Sequence, residues 1–163
     1  MSKTLTATEA AEKADRLCSR DRTVVFTNGC FDILHPGHVH LLRRCSELGD
    51  VVFVGLNTDR SVRELKGPGR PLFPLQDRIV MLSALSCVDW IVPFDQSTPA
   101  ELIRAVVPDV LVKGGDYTPR TVVGRAVVEE NGGRVEIVPL LEGYSTSDLI
   151  RRLRSGPKGG SGA

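Results

Sequence analysis

The order of apolar and polar positions along the chain predicts a regular alternation of strands and helices. Short runs of β-branched or continuously apolar residues have the character of buried strands. They cover residues 23–27, 51–56, 89–93, 109–112 and 134–139. Between them, apolar residues recur at spacings of three and four, as on one face of a helix. These patterns predict helices over about residues 9–17, 36–48, 59–65, 74–85, 99–107, 120–131 and 145–154.

This alternation predicts the fold class. Strands separated by helices form a parallel sheet with helices on both faces, and right-handed crossovers leave few topologies. We therefore expect a Rossmann-like, doubly wound parallel sheet of five strands. We expect residues 1–21 to form an N-terminal helix packed on the domain, residues 22–154 to form the domain itself, and residues 155–163, which are rich in Gly and Ser, to be a flexible tail. Ligands of such sheets bind at the carboxyl ends of the strands.

Composition and charge narrow the possible functions. The 163 residues include 21 Lys+Arg against 20 Asp+Glu, and only 5% are aromatic. This balance argues against nucleic-acid binding. No apolar run is long enough to span a membrane, and the N-terminus lacks the apolar core of a secretory signal. The four cysteines form no C-x-x-C pair, which excludes a zinc ribbon, and we expect reduced thiols in the cytoplasm.

The most informative segment follows the first predicted strand. All three histidines lie between positions 35 and 40, and His35 and His38 flank Pro36-Gly37 at a predicted helix start. A helix N-terminus with two imidazoles is suited to bind phosphate. A metal site in this cluster is disfavoured, because Pro36-Gly37 places His35 before the helix. The chain contains neither a Walker loop nor a dinucleotide fingerprint.

These residues resemble the H-x-G-H signature of the cytidylyltransferase-like nucleotidylyltransferase superfamily. Later segments follow in the order of that family. They are Lys66-Gly67 with Arg70-Pro71, Arg78, Lys113–Tyr117 and Glu142–Ser147. The resemblance covers residues 22–154 and is strongest to the heptose 1-phosphate adenylyltransferases of ADP-heptose synthesis. Gly115 favours ATP over CTP, since cytidylyltransferases tend to carry an acidic residue there. Cytidylyltransferases often also have an arginine shortly before the position of Ser145, and none is found here.

The resemblance implies a reaction and a set of site residues. A sugar 1-phosphate, already an anion, attacks the α-phosphorus of ATP directly, so alignment and charge neutralisation should suffice. It implies catalytic roles for His35, His38 and Lys66. Asp32 and Asp59 are candidates for orienting substrate or metal, and Asp32 could instead orient a histidine. The nucleotide-binding residues implied are Thr27, Asn28, Gly29, Cys30, Phe31, Arg78, Lys113, Gly114, Asp116, Ser145, Thr146 and Ser147. Mg²⁺ is expected to arrive with the triphosphate, with no protein ligand assigned.

Alternatives remain open at this point. The acceptor could be glycerol phosphate or another alcohol phosphate with CTP as donor, or FMN with ATP. A regulatory domain that binds nucleotide without catalysis is an alternative of another class. Asp59 has a second interpretation as a helix cap, whereas Cys30 as a nucleophile is disfavoured. We expect a homodimer, a separate sugar kinase that supplies the acceptor, and neither nucleic-acid nor membrane partners.

Overall fold

The computed structural model describes residues 2–115, 118–139, 141, 143–146 and 149–151. In these residues strands and helices alternate as the sequence predicts. The strands are β1 (Val24–Gly29), β2 (Val51–Asn57), β3 (Trp90–Phe94), β4 (Val110–Gly114) and β5 (Arg134–Val138). The helices are α1 (Ala7–Cys18), α2 (Pro36–Glu47), α3 (Asp59–Lys66), α4 (Leu75–Ser83), α5 (Ala100–Val106) and α6 (Arg125–Glu130). No helix of the described residues is long and apolar enough to cross a membrane.

The five strands form one sheet in the order β3-β2-β1-β4-β5, and every neighbouring pair is parallel. The chain therefore builds outward from β1 through β2 to β3, returns to the middle, and builds outward again through β4 to β5. This doubly wound order confirms the predicted fold class. The direction of winding reverses between β1 and β4, so the carboxyl ends of these two strands form the switch point where ligands bind in such sheets.

The sheet separates two hydrophobic clusters. Alternate residues of β1 and β4 point to opposite faces. Phe26 and Leu111 pack with residues of α1, α5 and α6, whereas Val25 and Val112 pack with residues of α2 and α4 on the other face. All seven residues of β2 are buried, which explains why its sequence is continuously apolar.

Helix α1 shows how local sequence fixes an element. Thr6 caps it by accepting from the backbone N–H of Glu9, and the Glu9 carboxylate accepts from the backbone N–H of Thr6. This reciprocal capping satisfies two donors that the first turn would otherwise leave unpaired. Ala10 and Ala14 are buried in the cluster that contains Phe26. Their small side chains let α1 pack closely against the domain.

The helix predicted over residues 120–131 is wrong in extent. Pro119–Thr121 forms a single 3₁₀ turn, and α6 begins only at Arg125. Gly124 precedes it with φ of 89°, and a Cβ there would lie 2.6 Å from Cδ1 of Ile103. A left-handed residue cannot continue a helix, and only glycine fits this close to α5.

The predicted last helix is seen only in part. Leu149 N–H donates to the carbonyl of Ser145 (3.0 Å), which starts a helical turn at the predicted place. Residues 152–163, including the predicted tail 155–163, lie outside the described residues.

Candidate active site

A cleft of about 580 Å³ opens at the switch point, over the carboxyl ends of β1 and β4 and the N-terminus of α2. It brings together most of the residues predicted from the sequence. Those that line it are Asn28, Gly29, Cys30, Phe31, Asp32, His35, His38, Lys66, Lys113, Gly114, Ser145 and Thr146. Asp116 and Ser147 lie outside the described residues.

The two histidines form a stacked pair at the start of α2. His35 is the N-cap residue, and its Nδ1 accepts from the backbone N–H of His38 at 3.3 Å. The ring centroids are 3.7 Å apart with an interplanar angle of 22°. The ring of Phe31 packs against His38 from another side, at 5.0 Å. Since Nδ1 of His35 is an acceptor, Nε2 of the neutral ring carries the proton and can donate it to a ligand.

Both rings are neutral near pH 7. Burial lowers the pKa of His35, and burial together with the neighbouring His35 lowers the pKa of His38 to about 4. The Nδ1 of His38 is buried and has no hydrogen-bond partner among the described residues. The pair therefore offers hydrogen-bond donors to phosphate oxygens while adding no fixed charge to the cleft.

The close contacts around Gly37 explain why a glycine lies between the two histidines. A Cβ at this position would lie 3.0 Å from Nδ1 and Cε1 of His35 and 3.3 Å from the carbonyl oxygen of Tyr144. The absence of a side chain therefore lets the segment before the last helix lie directly against the histidine pair. This contact brings Ser145 and Thr146 into the cleft.

Phe31 turns the chain from β1 towards α2 in an unusual conformation. Its φ of 45° lies in the left-handed region, which a bulky residue adopts at a cost of order 1–3 kcal/mol. The ring is 3% exposed, and its burial against His38 offsets this cost. The strained turn directs the chain after β1 around the cleft.

Arg78 does not bind phosphate as predicted. Its side chain is completely buried and lies below the cleft wall. It donates to the carbonyl oxygens of Phe73 (3.1 Å), Cys30 (2.6 Å) and Asn57 (2.8 Å) and to Oδ1 of Asp59 (2.6 Å). These bonds occupy four of its five N–H donors. Arg78 instead joins the loops that follow β1 and β2 to the start of α4.

The same contacts correct the prediction for Asp59. Its carboxylate is the counter-ion of Arg78, and Asp59 is not among the residues that line the cleft. The alternative role as a cap belongs to the residue before it, because the hydroxyl of Thr58 accepts from the N–H of Ser61.

Asp32 holds a loop and makes no hydrogen bond to either histidine among the described residues. It is 1% exposed. One oxygen accepts from Nε of Arg70 (2.5 Å), and the other accepts from the backbone N–H groups of Leu72 (2.7 Å) and Phe73 (3.0 Å). Because both oxygens are engaged, the predicted metal-orienting role is replaced by an anchoring role. The anchored segment follows directly after Lys66.

The structure also gives Thr27 and Cys30 roles other than that of a direct nucleotide ligand. Thr27 is completely buried and is not among the residues that line the cleft, so the structure does not bring it to a nucleotide. Burial raises the pKa of the Cys30 thiol, which disfavours the thiolate that a nucleophile requires. The carbonyl of Cys30, not its sulfur, makes the structurally important contact, with Arg78.

The cleft attracts anions. Its lining contains the cationic side chains of Lys66, Arg70 and Lys113, and the carboxylate of Asp32 is neutralised by Arg70. Lys66 is exposed at the end of α3, next to Gly67 with φ of 93°. Cations at the rim of a concave site concentrate field lines and favour a polyphosphate.

Several residues of the cleft were missed by sequence reasoning. Leu41 comes from α2, Ser97 and Thr98 come from the loop after β3, and Thr121 comes from the 3₁₀ turn. These residues belong to no recognised motif. The loop after β3 could have been found from the rule that ligand contacts follow strand ends.

Comparisons with known proteins agree with this geometry. The cytidylyltransferase-like family model matches residues 26–152. The bifunctional protein HldE of Syntrophotalea carbinolica is 58% identical over 134 residues, which is 82% of this chain and 27% of that protein. The bifunctional protein HldE of Geotalea uraniireducens is 52% identical over 154 residues, which is 94% of this chain and 31% of that protein. The chain thus spans about three tenths of the length of these curated relatives.

A solved structure is also similar. The crystal structure of the lipopolysaccharide core biosynthesis protein from Thermoplasma volcanium superposes with a TM-score of 0.61 and 26% sequence identity. The match covers 76% of this chain and 99% of that one. The segment matched by the family model contains the histidine pair, both lysines of the cleft and all of the sheet except the first two residues of β1, Val24 and Val25. The chain therefore belongs to the cytidylyltransferase-like family.

Proposed function

We propose that this protein transfers AMP from ATP to a sugar 1-phosphate of the heptose type, giving an ADP-sugar and pyrophosphate. The observation that carries the proposal is the neutral, stacked pair of His35 and His38, which opens at the helix start onto a cleft lined by cations. The acceptor class comes from the resemblance to heptose 1-phosphate adenylyltransferases, and the identity to the HldE proteins supports it.

The chemistry requires no protein base. The second pKa of a phosphate monoester is about 6, so the acceptor is largely a dianion at pH 7. One of its oxygens forms the new bond to the α-phosphorus of ATP, the bond to the bridging oxygen breaks, and pyrophosphate leaves. His38, whose pKa is about 4, is a poor base near neutral pH. The histidines therefore act as hydrogen-bond donors to the triphosphate.

The remaining residues position and neutralise charge. Lys66, exposed at the end of α3, is placed to approach the triphosphate from the rim of the cleft. The hydroxyls of Ser145 and Thr146 hold the β- and γ-phosphates. Gly29 and Gly114 line the floor, where the lack of side chains gives the nucleotide room. In this arrangement catalysis comes from alignment and from donors aimed at the developing charge.

The residues fit a Mg²⁺ ion that is carried by ATP itself. Among the described residues no three His, Cys, Asp or Glu side chains are grouped to hold a metal ion. The carboxylates of Asp32 and Asp59 are already bound by arginines. When bound with ATP, the ion would neutralise part of the triphosphate charge, and its ligands would be phosphate oxygens.

The proposal extends to the cellular setting. The acceptor must carry its phosphate before it reaches the cleft, so a sugar kinase must act first. We also propose that the protein is a homodimer. Cys18, Cys30, Cys45 and Cys87 are free thiols, which fits the proposed location in the reducing cytoplasm.

A matrix of donors and acceptors tests the proposal. The wild-type protein is incubated with ATP or CTP and with heptose 1-phosphate, glycerol 3-phosphate or FMN, and pyrophosphate release is measured. We expect release only with ATP and heptose 1-phosphate. Turnover with CTP and glycerol phosphate, or with ATP and FMN, would favour the alternative transferases. Binding of ATP without release for any acceptor would favour a non-catalytic regulatory domain. The His38→Asn variant is the control for release that does not come from this cleft.

A further inference from the structure

We infer that Lys113 and Asn28 form the subsite for the phosphate group of the acceptor. Their side chains project on one face of the sheet, and the histidine pair lies on the other face. This inference rests on the proposed function. It differs from the role in nucleotide binding that the family resemblance implies for both residues.

The register of the strands separates the two halves of the cleft. In β1 and β4, Phe26 and Leu111 pack on the face covered by α5. Asn28 and Lys113 lie two residues further along, so their side chains project on the same face. By contrast, a Cβ at Gly114 would lie 3.4 Å from Leu41 of α2, on the face where the histidine pair stands.

The ammonium group of Lys113 has no anionic partner among the described residues, so it can bind an anionic ligand. Its ammonium donates to Oδ1 of Asn28, a neutral acceptor. Among the described residues no carboxylate lies within ion-pair distance of it. Burial lowers the pKa of Lys113 to about 8, so the charged form is retained near pH 7 at a desolvation cost. A phosphate dianion would offset this cost, and the amide group of Asn28 offers further donors to it.

The residues that line the cleft near Lys113 and Asn28 are suited to bind the sugar part of the acceptor. Ser97 and Thr98 from the loop after β3 and Thr121 from the 3₁₀ turn line the same cleft. Ser97 and Thr98 lie shortly before the start of α5, and Val122, next to Thr121, packs in the cluster that contains Phe26 and Leu111. These hydroxyl groups therefore belong to the α5 and α6 side. Hydroxyl groups that can both donate and accept match the hydroxyls of a sugar.

The geometry of the reaction favours the acceptor over the nucleotide at this place. Attacking and leaving oxygens lie on opposite sides of the α-phosphorus in an in-line displacement. If pyrophosphate leaves on the side of His35, His38 and Thr146, the acceptor oxygen must approach from the α5 side. Lys113 is a cationic residue of the lining, and its side chain projects on that side.

Two variants test the subsite. Lys113→Met removes the charge, and Asn28→Asp places a carboxylate beside the ammonium, where it should exclude an incoming phosphate. Lys13→Met, on α1, is the matched control. We expect both cleft variants to raise the KM for the acceptor by about 10- to 100-fold, as loss of a charge-assisted hydrogen bond does, while the Kd for ATP changes less than about threefold. Lys113→Arg should restore part of the acceptor affinity.

A binding measurement separates this inference from the proposed function. Inorganic phosphate is titrated calorimetrically into protein saturated with a non-hydrolysable ATP analogue. We expect binding to the wild type and to Lys13→Met, and none to Lys113→Met or Asn28→Asp. Phosphate binding with this pattern but no turnover of heptose 1-phosphate would overturn the proposed acceptor and leave the subsite standing. Normal turnover with an unchanged acceptor KM, or a raised Kd for ATP in Lys113→Met, would overturn the subsite.

Discussion

At the scale of single residues, Arg78 shows that charge in a motif need not face the ligand. A sequence contains no signal that separates an arginine directed into a phosphate site from one directed into backbone carbonyls. Here the guanidinium satisfies carbonyl oxygens from Cys30, Asn57 and Phe73, and Asp59 balances its charge. Each buried carbonyl left without such a donor would lower the stability of the fold by about 1–3 kcal/mol.

We predict that Arg78→Met lowers the free energy of unfolding by about 2–4 kcal/mol, because three carbonyls and a carboxylate lose their donor. Urea denaturation measures this loss. Arg104→Met, which removes an exposed pair with Glu101, is the control and should cost no more than about 0.5 kcal/mol. If Arg78→Met kept its stability and lost affinity for ATP, Arg78 would be a phosphate ligand after all.

His38 links the cleft to the pH dependence of stability. In the unfolded chain the pKa of a histidine is close to its ordinary value of 6.5, whereas the pKa of His38 in the folded protein is about 4. Between these values the unfolded state binds more protons, so stability is fully present above about pH 6.5 and falls as the pH drops towards 4.

We predict that the wild type loses up to about 3 kcal/mol over this pH window through His38, and that His38→Asn loses correspondingly less. Unfolding free energies of the two proteins, measured at several pH values, give the difference. Parallel curves for both proteins would show that His38 is protonated equally in the folded and unfolded states, contrary to this prediction.

At the scale of elements, the position of the segment after α3 depends on Asp32, a residue far away in the sequence. Asp32 accepts hydrogen bonds from Arg70, Leu72 and Phe73 and so fixes the chain that follows Lys66. The Gly- and Pro-rich sequence of residues 66–71 predicts a loop, and the structure shows that this loop is tied to the turn after β1. Lys66 therefore approaches the cleft from an anchored position.

We predict that Asp32→Asn lowers kcat/KM by about tenfold or more, because a small misplacement of a charge-neutralising lysine is costly in an aligned transition state. Pyrophosphate release measures the effect. The control is Asp50→Asn at the amino-terminal edge of the same sheet, where Asp50 accepts from the N–H of Thr23 and pairs with Arg22. An Asp32→Asn variant with wild-type kcat/KM would show that the anchor has no bearing on catalysis.

Sequence patterns predict some secondary-structure elements more accurately than others. The strands are found because β1, β2 and β4 are buried on both faces and their apolar runs are uninterrupted. The start of α2 is found because Pro36 suits a first turn. The helix at 120–131 is predicted too long, because the packing of Gly124 against Ile103 is a tertiary contact that no local pattern reveals.

At the scale of the whole molecule, the parallel sheet gathers residues that are distant in sequence. The histidine pair follows β1, Lys113 ends β4, and Ser145 and Thr146 follow β5, yet all line one cleft. A motif order in the sequence can predict this gathering once the sheet is assigned. It cannot predict which residues stay out of the cleft lining, as Thr27, Asp59 and Arg78 do, because that depends on strand faces and on buried pairing.

The formal net charge of +1 hides this organisation. Lys66, Arg70 and Lys113 line the cleft, whereas Arg16, Arg44 and Arg104 each pair with a glutamate of their own helix. Three cationic side chains thus lie where a triphosphate and a phosphorylated acceptor would meet.

The central claim is that this cleft transfers AMP to a sugar 1-phosphate. The most direct measurement is the rate of pyrophosphate release from ATP with D-glycero-β-D-manno-heptose 1-phosphate as acceptor, together with identification of the nucleotide sugar formed. We predict acceptor-dependent release with one ADP-sugar formed per pyrophosphate, and no release when CTP replaces ATP. Release with CTP alone, or no release with this acceptor and either triphosphate, would contradict the claim.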